Sequence, residues 1–284
     1  MRIFYVLPCL LSLMLSIFTT PSTSSIDSFI YGGCSQVKFW PGSAYENQVN
    51  SLLTSVVNSA MYISYNNFTS QSQGSSSAVY GLFQCRGDLN SGDCSRCVDR
   101  AVSQLGTICP GSAGGALQLD GCFVKYDNTT FLGVEDKTVV LKKCGPSMGL
   151  TSDSLTHRDA VLAYLGTSIG SYKVSNSGNV YGVAQCTGDL STSKCLDCVS
   201  DAVQRLRTEC GAADWGDMYL AKCYARYSER GDHSRGGKDD DNNKNDEEIQ
   251  KTLAILIGLI AGVALLIVFL SFLGKVYGKD REGK

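Results

Sequence analysis

The segment CRGDLNSGDCSRC at residues 85–97 is followed 101 residues later by a related segment, CTGDLSTSKCLDC, at residues 186–198. Each segment lies within a set of six cysteines, and from the second cysteine of each set onward the steps are 9, 3, 12 and 13 residues. Four matched steps indicate a duplicated module. The two sets are Cys34, Cys85, Cys94, Cys97, Cys109, Cys122 and Cys144, Cys186, Cys195, Cys198, Cys210, Cys223.

The N-terminus predicts the compartment in which these cysteines act. Residues 1–24 have a basic start, a short apolar core and an exit of small residues, which is typical of a secretory signal peptide. An N-terminal membrane anchor is the alternative. Cleavage would remove Cys9 and leave twelve cysteines in an oxidising compartment, where disulfides are expected. The net charge of −2 predicts no nucleic acid partner.

A second apolar segment, residues 253–273, has 21 residues without a charge and predicts one transmembrane helix. The preceding residues 232–252 read as a charged extracellular linker, and the basic tail 274–284 predicts a cytoplasmic C-terminus. A cleaved lipid-anchor signal is the alternative, which the basic tail disfavours. Gly258 and Gly262 form a GxxxG motif that predicts a helix–helix contact within the membrane.

The pattern of each module predicts an α+β fold, with two helices packed on an antiparallel sheet. In the first module, residues 27–132, helical periodicity covers Tyr45–Ser64 and Ser91–Cys109. Strands are predicted at Val79–Cys85, Ala116–Leu119 and Cys122–Tyr126. The second module, residues 137–231, has corresponding helices at Leu155–Ser168 and Ser193–Cys210 and strands at Val180–Cys186 and Cys223–Tyr227.

The pair Cys94-x-x-Cys97 could in principle belong to a metal or a thiol-redox site. A zinc site needs four converging ligands, and the chain has only two histidines, His157 and His233, neither of them repeated. The βαβ context of a thioredoxin-type site is also absent. We therefore expect structural disulfides and no metal or cofactor, although fifteen pairings of six cysteines stay open from the residues alone.

The string Cys85-x8-Cys94-x2-Cys97 resembles the plant stress-antifungal module of ginkbilobin and of cysteine-rich receptor-like kinases. Two such modules, one span and a short tail together resemble the plasmodesmata-located protein family. This resemblance implies that the first cysteine pairs with the fifth, the second with the third, and the fourth with the sixth. The implied disulfides are Cys34–Cys109, Cys85–Cys94, Cys97–Cys122, Cys144–Cys210, Cys186–Cys195 and Cys198–Cys223.

The family resemblance also implies a function. It suggests a non-enzymatic type I membrane protein of plasmodesmata that modulates cell-to-cell trafficking through callose deposition. Implied partners are related membrane proteins or receptor kinases in homo- or hetero-oligomers, viral movement proteins and cell-wall polysaccharide. A lectin-like or co-receptor module in cell-surface defence signalling is the alternative.

The residues at the relevant positions disfavour two other functions, mannose binding and acid/base catalysis. Ginkbilobin binds mannose through an Asn, an Arg and a Glu, and the corresponding positions here are Ser35, Ala116, Asp127 and, in the second module, Gly145, Asp217, Ser228. The arginine is missing from both modules, which disfavours a mannose site of that design. An acid/base pair of Asp88 and Asp93 is not repeated either, because Lys194 replaces the second carboxylate in the other module.

Two further features concern the surface of the modules. Asn67-Phe68-Thr69 and Asn128-Thr129-Thr130 are N-glycosylation sequons, so both Asn67 and Asn128 are candidate glycan sites. Several aromatic residues of the first module, among them Trp40 and Tyr62, are expected in its core. Trp215 of the second module is expected to be the more exposed.

Overall fold

The structure, a computed structural model, describes residues 25–71, 78–147 and 152–229. The predicted signal peptide, charged linker, membrane span with Gly258 and Gly262, and C-terminal tail all lie outside these residues. Within the three described ranges, no helix is both long and apolar enough to cross a membrane.

The first module has two helices and five strands. Its helices are α1 (Ala44–Ala60) and α2 (Ser91–Ile108); its strands are β1 (Phe29–Cys34), β2 (Tyr65–Gln71), β3 (Ala78–Cys85), β4 (Gly115–Leu119) and β5 (Cys122–Asp127). The second module repeats them as α3 (Ser152–Thr167), α4 (Thr192–Glu209), β6 (Val139–Cys144), β7 (Tyr172–Ser177), β8 (Val180–Cys186), β9 (Trp215–Leu220) and β10 (Cys223–Glu229).

Local sequence explains where the helices begin. The side chain of Asn90 caps α2 by accepting from the Asp93 amide at 2.9 Å, and Ser191 caps α4 through the amide of Lys194 at 3.4 Å. These two caps occupy the same position of the repeat. Ser43 caps α1 in the same way, accepting from the Glu46 amide. Each cap satisfies an amide that lacks a partner within the helix, which contributes about 1 kcal/mol.

The two sheets have the same topology. Their strand orders are β1-β4-β5-β3-β2 and β6-β9-β10-β8-β7, and every neighbouring pair is antiparallel. The central strands are β5 and β10, while β2 and β7 lie at corresponding edges. The α+β architecture predicted from the sequence, with two helices on one antiparallel sheet per module, is therefore confirmed.

Each core lies between the helices and one face of the sheet. In α2, the buried residues are spaced three and four apart along one stripe and include Val98, Ala101 and Leu105. They pack against the β4 residue Leu117 and the β5 residue Val124, both fully buried. Burial of each such aliphatic side chain contributes about 1.5–3 kcal/mol.

Two sequence expectations about local structure need correction. The pattern did not identify the edge strands β1, β2, β6 and β7 or the strand β9, because these segments alternate weakly and contain glycine or polar residues. The aromatic expectation was also wrong in part. Trp40 and Tyr62 are 84% and 80% exposed, since they lie in the loops before and after α1, and Trp215 is half-buried.

Candidate functional site

All twelve cysteines of the described chain form disulfides. The pairs are Cys34–Cys109, Cys85–Cys94, Cys97–Cys122, Cys144–Cys210, Cys186–Cys195 and Cys198–Cys223. They are the pairs that the family resemblance implies. Cys94 and Cys97 bond to different partners, so the C-x-x-C segment is not a dithiol. Across the described ranges, no three His, Cys, Asp or Glu side chains converge as metal ligands.

The positions that correspond to the mannose site are occupied by internal contacts in the second module. Gly145 lies directly beneath the Asp214 and Trp215 side chains, which fill the space where a side chain would project. Asp217 is 8% exposed and accepts a hydrogen bond from Arg226 Nε at 2.8 Å. Ser228 is also 8% exposed. These residues are therefore not presented to a ligand.

The first module has a more open surface at these positions, but its polar groups are engaged. Asp127 Oδ1 accepts from the amide of Thr129 at 3.1 Å and from its hydroxyl at 2.9 Å. Ser35 Oγ accepts from the Val37 amide at 3.2 Å. Ala116 contributes no polar atom. The carboxylate pair Asp88 and Asp93 is likewise engaged, since each residue forms an ion pair with its own arginine.

The two modules pack against each other through the sheet faces opposite their helices. Tyr31 on β1 and Tyr219 on β9 meet edge to face with ring centroids 5.7 Å apart. Tyr219 is 2% exposed and stacks on Tyr224, with ring centroids 5.1 Å apart. We call the surface between the sheets the module junction. Its aromatic pairs remove large apolar area from water and so stabilise the two modules as one unit.

Corresponding residues exchange the same kind of contact across the module junction. The ring of Tyr65 packs on the backbone of Gly188, and the ring of Tyr172 packs on the backbone of Gly87. Gln84 Oε1 accepts from the Gly188 amide at 2.9 Å, while Gln185 Nε2 donates to the Cys85 carbonyl at 2.9 Å. The two tyrosine–glycine contacts are reciprocal, as at a twofold interface, here formed within one chain. The two glutamines both reach across the junction, but one accepts and the other donates.

A charge network breaks this approximate twofold symmetry. The Asp120 carboxylate is 2% exposed and pairs with Arg86 of its own module and with Arg226 of the other, the latter at 2.6 Å. Arg226 also binds Asp217, and Arg86 binds Asp88. Because these carboxylates favour the charged guanidinium, the pKa of Arg226 rises even though burial would lower it. The network therefore holds permanent charges at the module junction.

The connection between the modules is also fixed. Phe131 lies between Lys125 of the first module and Lys222 of the second, whose ammonium groups are 4.5 and 4.9 Å from its ring centroid. The buried Asp189 pairs with Lys222 and accepts from the Gly133 amide at 2.8 Å. Burial alone would raise the pKa of Asp189, but hydrogen bonds from Lys222 and other groups hold that pKa below its ordinary value.

The module junction contains a small, partly open cavity of about 30 Å³, lined by both polar and apolar side chains. Its lining includes Gln84, Gln118, Asp120 and Gln185. That volume is sufficient for one or two water molecules, which the polar side chains would bind. It is too small for a monosaccharide.

The sequence interpretation did not identify the module junction as a site. Gly87 and Gly188 were visible as repeated positions, as were Gln84 and Gln185 at the same 101-residue offset. The signal was that polar and glycine residues outside the core pattern recur in both copies. Of the predicted surface sites, Asn67 and Asn128 are both exposed.

Comparison with known proteins identifies the modules. The salt stress response/antifungal family model matches residues 33–129 and 147–230. Plasmodesmata-located protein 6 of Arabidopsis thaliana is 61% identical over 277 residues, covering 95% of this chain and 96% of the relative. Plasmodesmata-located protein 7 of the same plant is 55% identical over 268 residues, covering 93% and 89%.

A solved structure shows the same tandem arrangement. The crystal structure of the tandem DUF26 ectodomain from the Arabidopsis thaliana cysteine-rich receptor-like protein PDLP5 matches with a TM-score of 0.68 and 51% identity. The match covers 72% of this chain and 100% of that structure. With two matched modules and relatives aligned over nearly their whole length, the chain belongs to the plasmodesmata-located protein family, with two tandem salt stress response/antifungal domains.

Proposed function

We propose that the chain is a non-enzymatic, single-pass membrane protein of plasmodesmata that modulates cell-to-cell trafficking. The observation that carries this proposal is 61% identity to a plasmodesmata-located protein over 95% of the chain. The tandem ectodomain acts as a rigid extracellular recognition unit, and residues 253–273 hold it in the membrane. Its effect on permeability runs through callose deposition at the channel.

The structure of the ectodomain supports recognition rather than chemistry. The polar groups described at the module junction bind one another, and the disulfides leave no reactive thiol among the described cysteines. Partners therefore bind to outer surfaces. We expect these partners to be related membrane proteins or receptor kinases, with viral movement proteins as further ligands of the same surfaces.

Imaging in plant cells tests this function. The full chain with a fluorescent C-terminal tag is expressed with a callose stain, beside a variant in which an unrelated apolar helix replaces residues 253–273. We expect fluorescent puncta that coincide with callose and reduced spread of a free fluorescent protein between cells. Uniform surface fluorescence with unchanged spread would contradict the proposal. Loss of puncta in the variant would assign targeting to the span.

A co-receptor of defence signalling is the second candidate. It is favoured by the similarity to PDLP5, a cysteine-rich receptor-like protein of Arabidopsis thaliana. Affinity purification of the tagged chain after an immune stimulus distinguishes the two functions. A stimulus-dependent receptor kinase partner, together with unaltered spread of the free fluorescent protein, would support the co-receptor.

A further inference from the structure

The edge strand β2 has a structural device that blocks one of its backbone groups. Edge strands present unpaired N–H and C=O groups to which another strand can add. Here the Asn67 amide donates to Asn66 Oδ1 at 2.9 Å. The Asn66 side chain is itself held in place, because its Nδ2 donates to Ser59 Oγ on α1 at 3.0 Å. This amide is therefore not offered to an incoming strand.

The same strand displays a complete sequon. Asn67 and Thr69 are both exposed and project from one face of β2. Phe68 between them points to the core and stacks on Phe83, with ring centroids 6.5 Å apart. Asn67 Nδ2 donates to Tyr65 Oη at 2.8 Å. An N-glycosylated amide keeps one hydrogen on this nitrogen, so the nitrogen remains a donor. Because Asn67 is exposed and lies on the opposite face from Phe68, a glycan attached there points away from the core.

The corresponding edge strand of the second module lacks both features. Val174 of β7 takes the place of Asn67, as their partners Val183 and Leu82 show. Lys173 takes the place of Asn66, and its ammonium reaches the carbonyl of Leu165 at 3.1 Å, beneath the end of α3. The capped amide and the sequon are thus specific to the edge of the first sheet.

The second sequon lies in a different setting. Asn128 follows the end of the central strand β5, in a turn where Thr129 bonds to Asp127. Both sequons are exposed, but a glycan on Asn128 would not lie along an unpaired strand. This difference makes Asn128 an internal reference for the effect of a glycan on Asn67.

We propose that Asn67 carries an N-linked oligosaccharide that prevents another β-strand, including β2 of a second copy, from adding to this edge. The proposal rests on the extracellular location of the modules in the proposed function. The glycan completes the protection that the Asn66 cap begins, because it extends the blocked region beyond a single amide.

Substitutions at Thr69 separate the glycan from the side chain that carries it. Thr69→Ala destroys the sequon and leaves Asn67 in place, whereas Thr69→Ser keeps an acceptor sequon with a similarly small residue. The full chain is produced in plant cells and extracted in detergent. Glycopeptide mass spectrometry measures occupancy at Asn67, and size-exclusion chromatography with light scattering measures self-association. Asn128→Gln is the matched loss of the other glycan.

We expect an occupied Asn67 in the wild-type chain and in Thr69→Ser. In Thr69→Ala, the glycan is lost and the protein shifts to larger assemblies, and Asn128→Gln does not cause this shift. An unmodified Asn67 beside an occupied Asn128 would overturn the glycan site while leaving the extracellular location intact. Occupancy at Asn67 with unchanged assembly of Thr69→Ala would overturn the protective role. Two bare sequons would overturn the inference as well.

Discussion

Asp120 of the first module and Ala221 of the second occupy the same position in their sheets, each following the strand that pairs with the outer strand β1 or β6. One carries a buried carboxylate that binds two arginines, and the other carries a methyl group. The helices, strand order and disulfides are the same in both modules. The two modules therefore keep one fold and one cysteine spacing, while a single side chain at this position gives the module junction its asymmetric charge network.

The largest expected effect comes from removing the longest-range disulfide of each module. It tests whether these two disulfides contribute equally to the free energy of unfolding. Replacing both Cys34 and Cys109 with alanine removes a link across 75 residues, and the same change at Cys144 and Cys210 removes one across 66. Loop-closure entropy predicts a loss of about 4 kcal/mol in each case. Urea unfolding of the full chain in detergent measures both losses. A difference of more than about 1 kcal/mol would show that loop length does not govern the loss.

A smaller effect is expected when the asymmetric charge is removed. Asp120→Ala gives the first module the residue of the second and leaves Arg86 and Arg226 without their shared carboxylate. We expect a loss of about 3 kcal/mol, at the low end for a broken buried ion pair because each arginine keeps a second partner. Ala221→Ser, a small substitution at the equivalent position of the second module, is the control because it removes no ion pair. An unchanged unfolding midpoint in Asp120→Ala would show that the network contributes no stability.

Substitution of either glycine in the two reciprocal tyrosine–glycine contacts should lower the stability of the fold by a similar amount. A Cβ on Gly87 would lie 2.6 Å from Tyr172 Cβ, and one on Gly188 would lie 2.7 Å from Tyr65 Cδ1. Neither neighbour is the free end of a flexible chain, so Gly87→Ala and Gly188→Ala should each cost about 2 kcal/mol. Gly106→Ala is the control, because a Cβ there meets nothing within 4 Å. Sensitivity at only one of the two glycines would contradict the twofold description.

The smallest expected effect is on the stability of the fold at low pH. The pKa of Asp189 is lowered in the folded chain, so its charge stabilises the fold above the unfolded pKa of about 3.9. That contribution is lost as pH falls through the lower folded pKa. We expect Asp189→Asn to flatten the fall of stability below about pH 4. Asp88→Asn, at the corresponding but half-exposed position, should flatten it less. The unfolding midpoint measured from pH 6 to 2.5 in both variants tests this order.

Cysteine spacing and helical periodicity were sufficient to predict the α+β modules, because both depend on residues close together in the chain. The helix prediction at Ser91–Cys109 differs from the structure by one residue at its end. Edge strands such as β7 escaped prediction because residue type does not follow burial there: Lys173 is buried, whereas Val174 is exposed. Their place in the sheet depends on pairing with β8.

The module junction was beyond sequence prediction for a different reason. Gln185 and Cys85 lie 100 residues apart, and no local pattern states that their sheets will meet. The exposure of Trp40 likewise follows from the path of a loop. The repeat nonetheless contained the necessary residues, since Gly87 and Gly188 recur outside the core pattern where only a close backbone contact requires glycine.

The position of β10 has a mechanical consequence. The chain continues beyond Glu229 from the central strand of the second sheet, which is hydrogen-bonded to β8 on one side and to β9 on the other. Tension applied through that end is shared by two ladders, and the Cys198–Cys223 disulfide transfers it to α4 at the start of the strand. A load on the C-terminal end therefore reaches the middle of the second module before either of its edge strands.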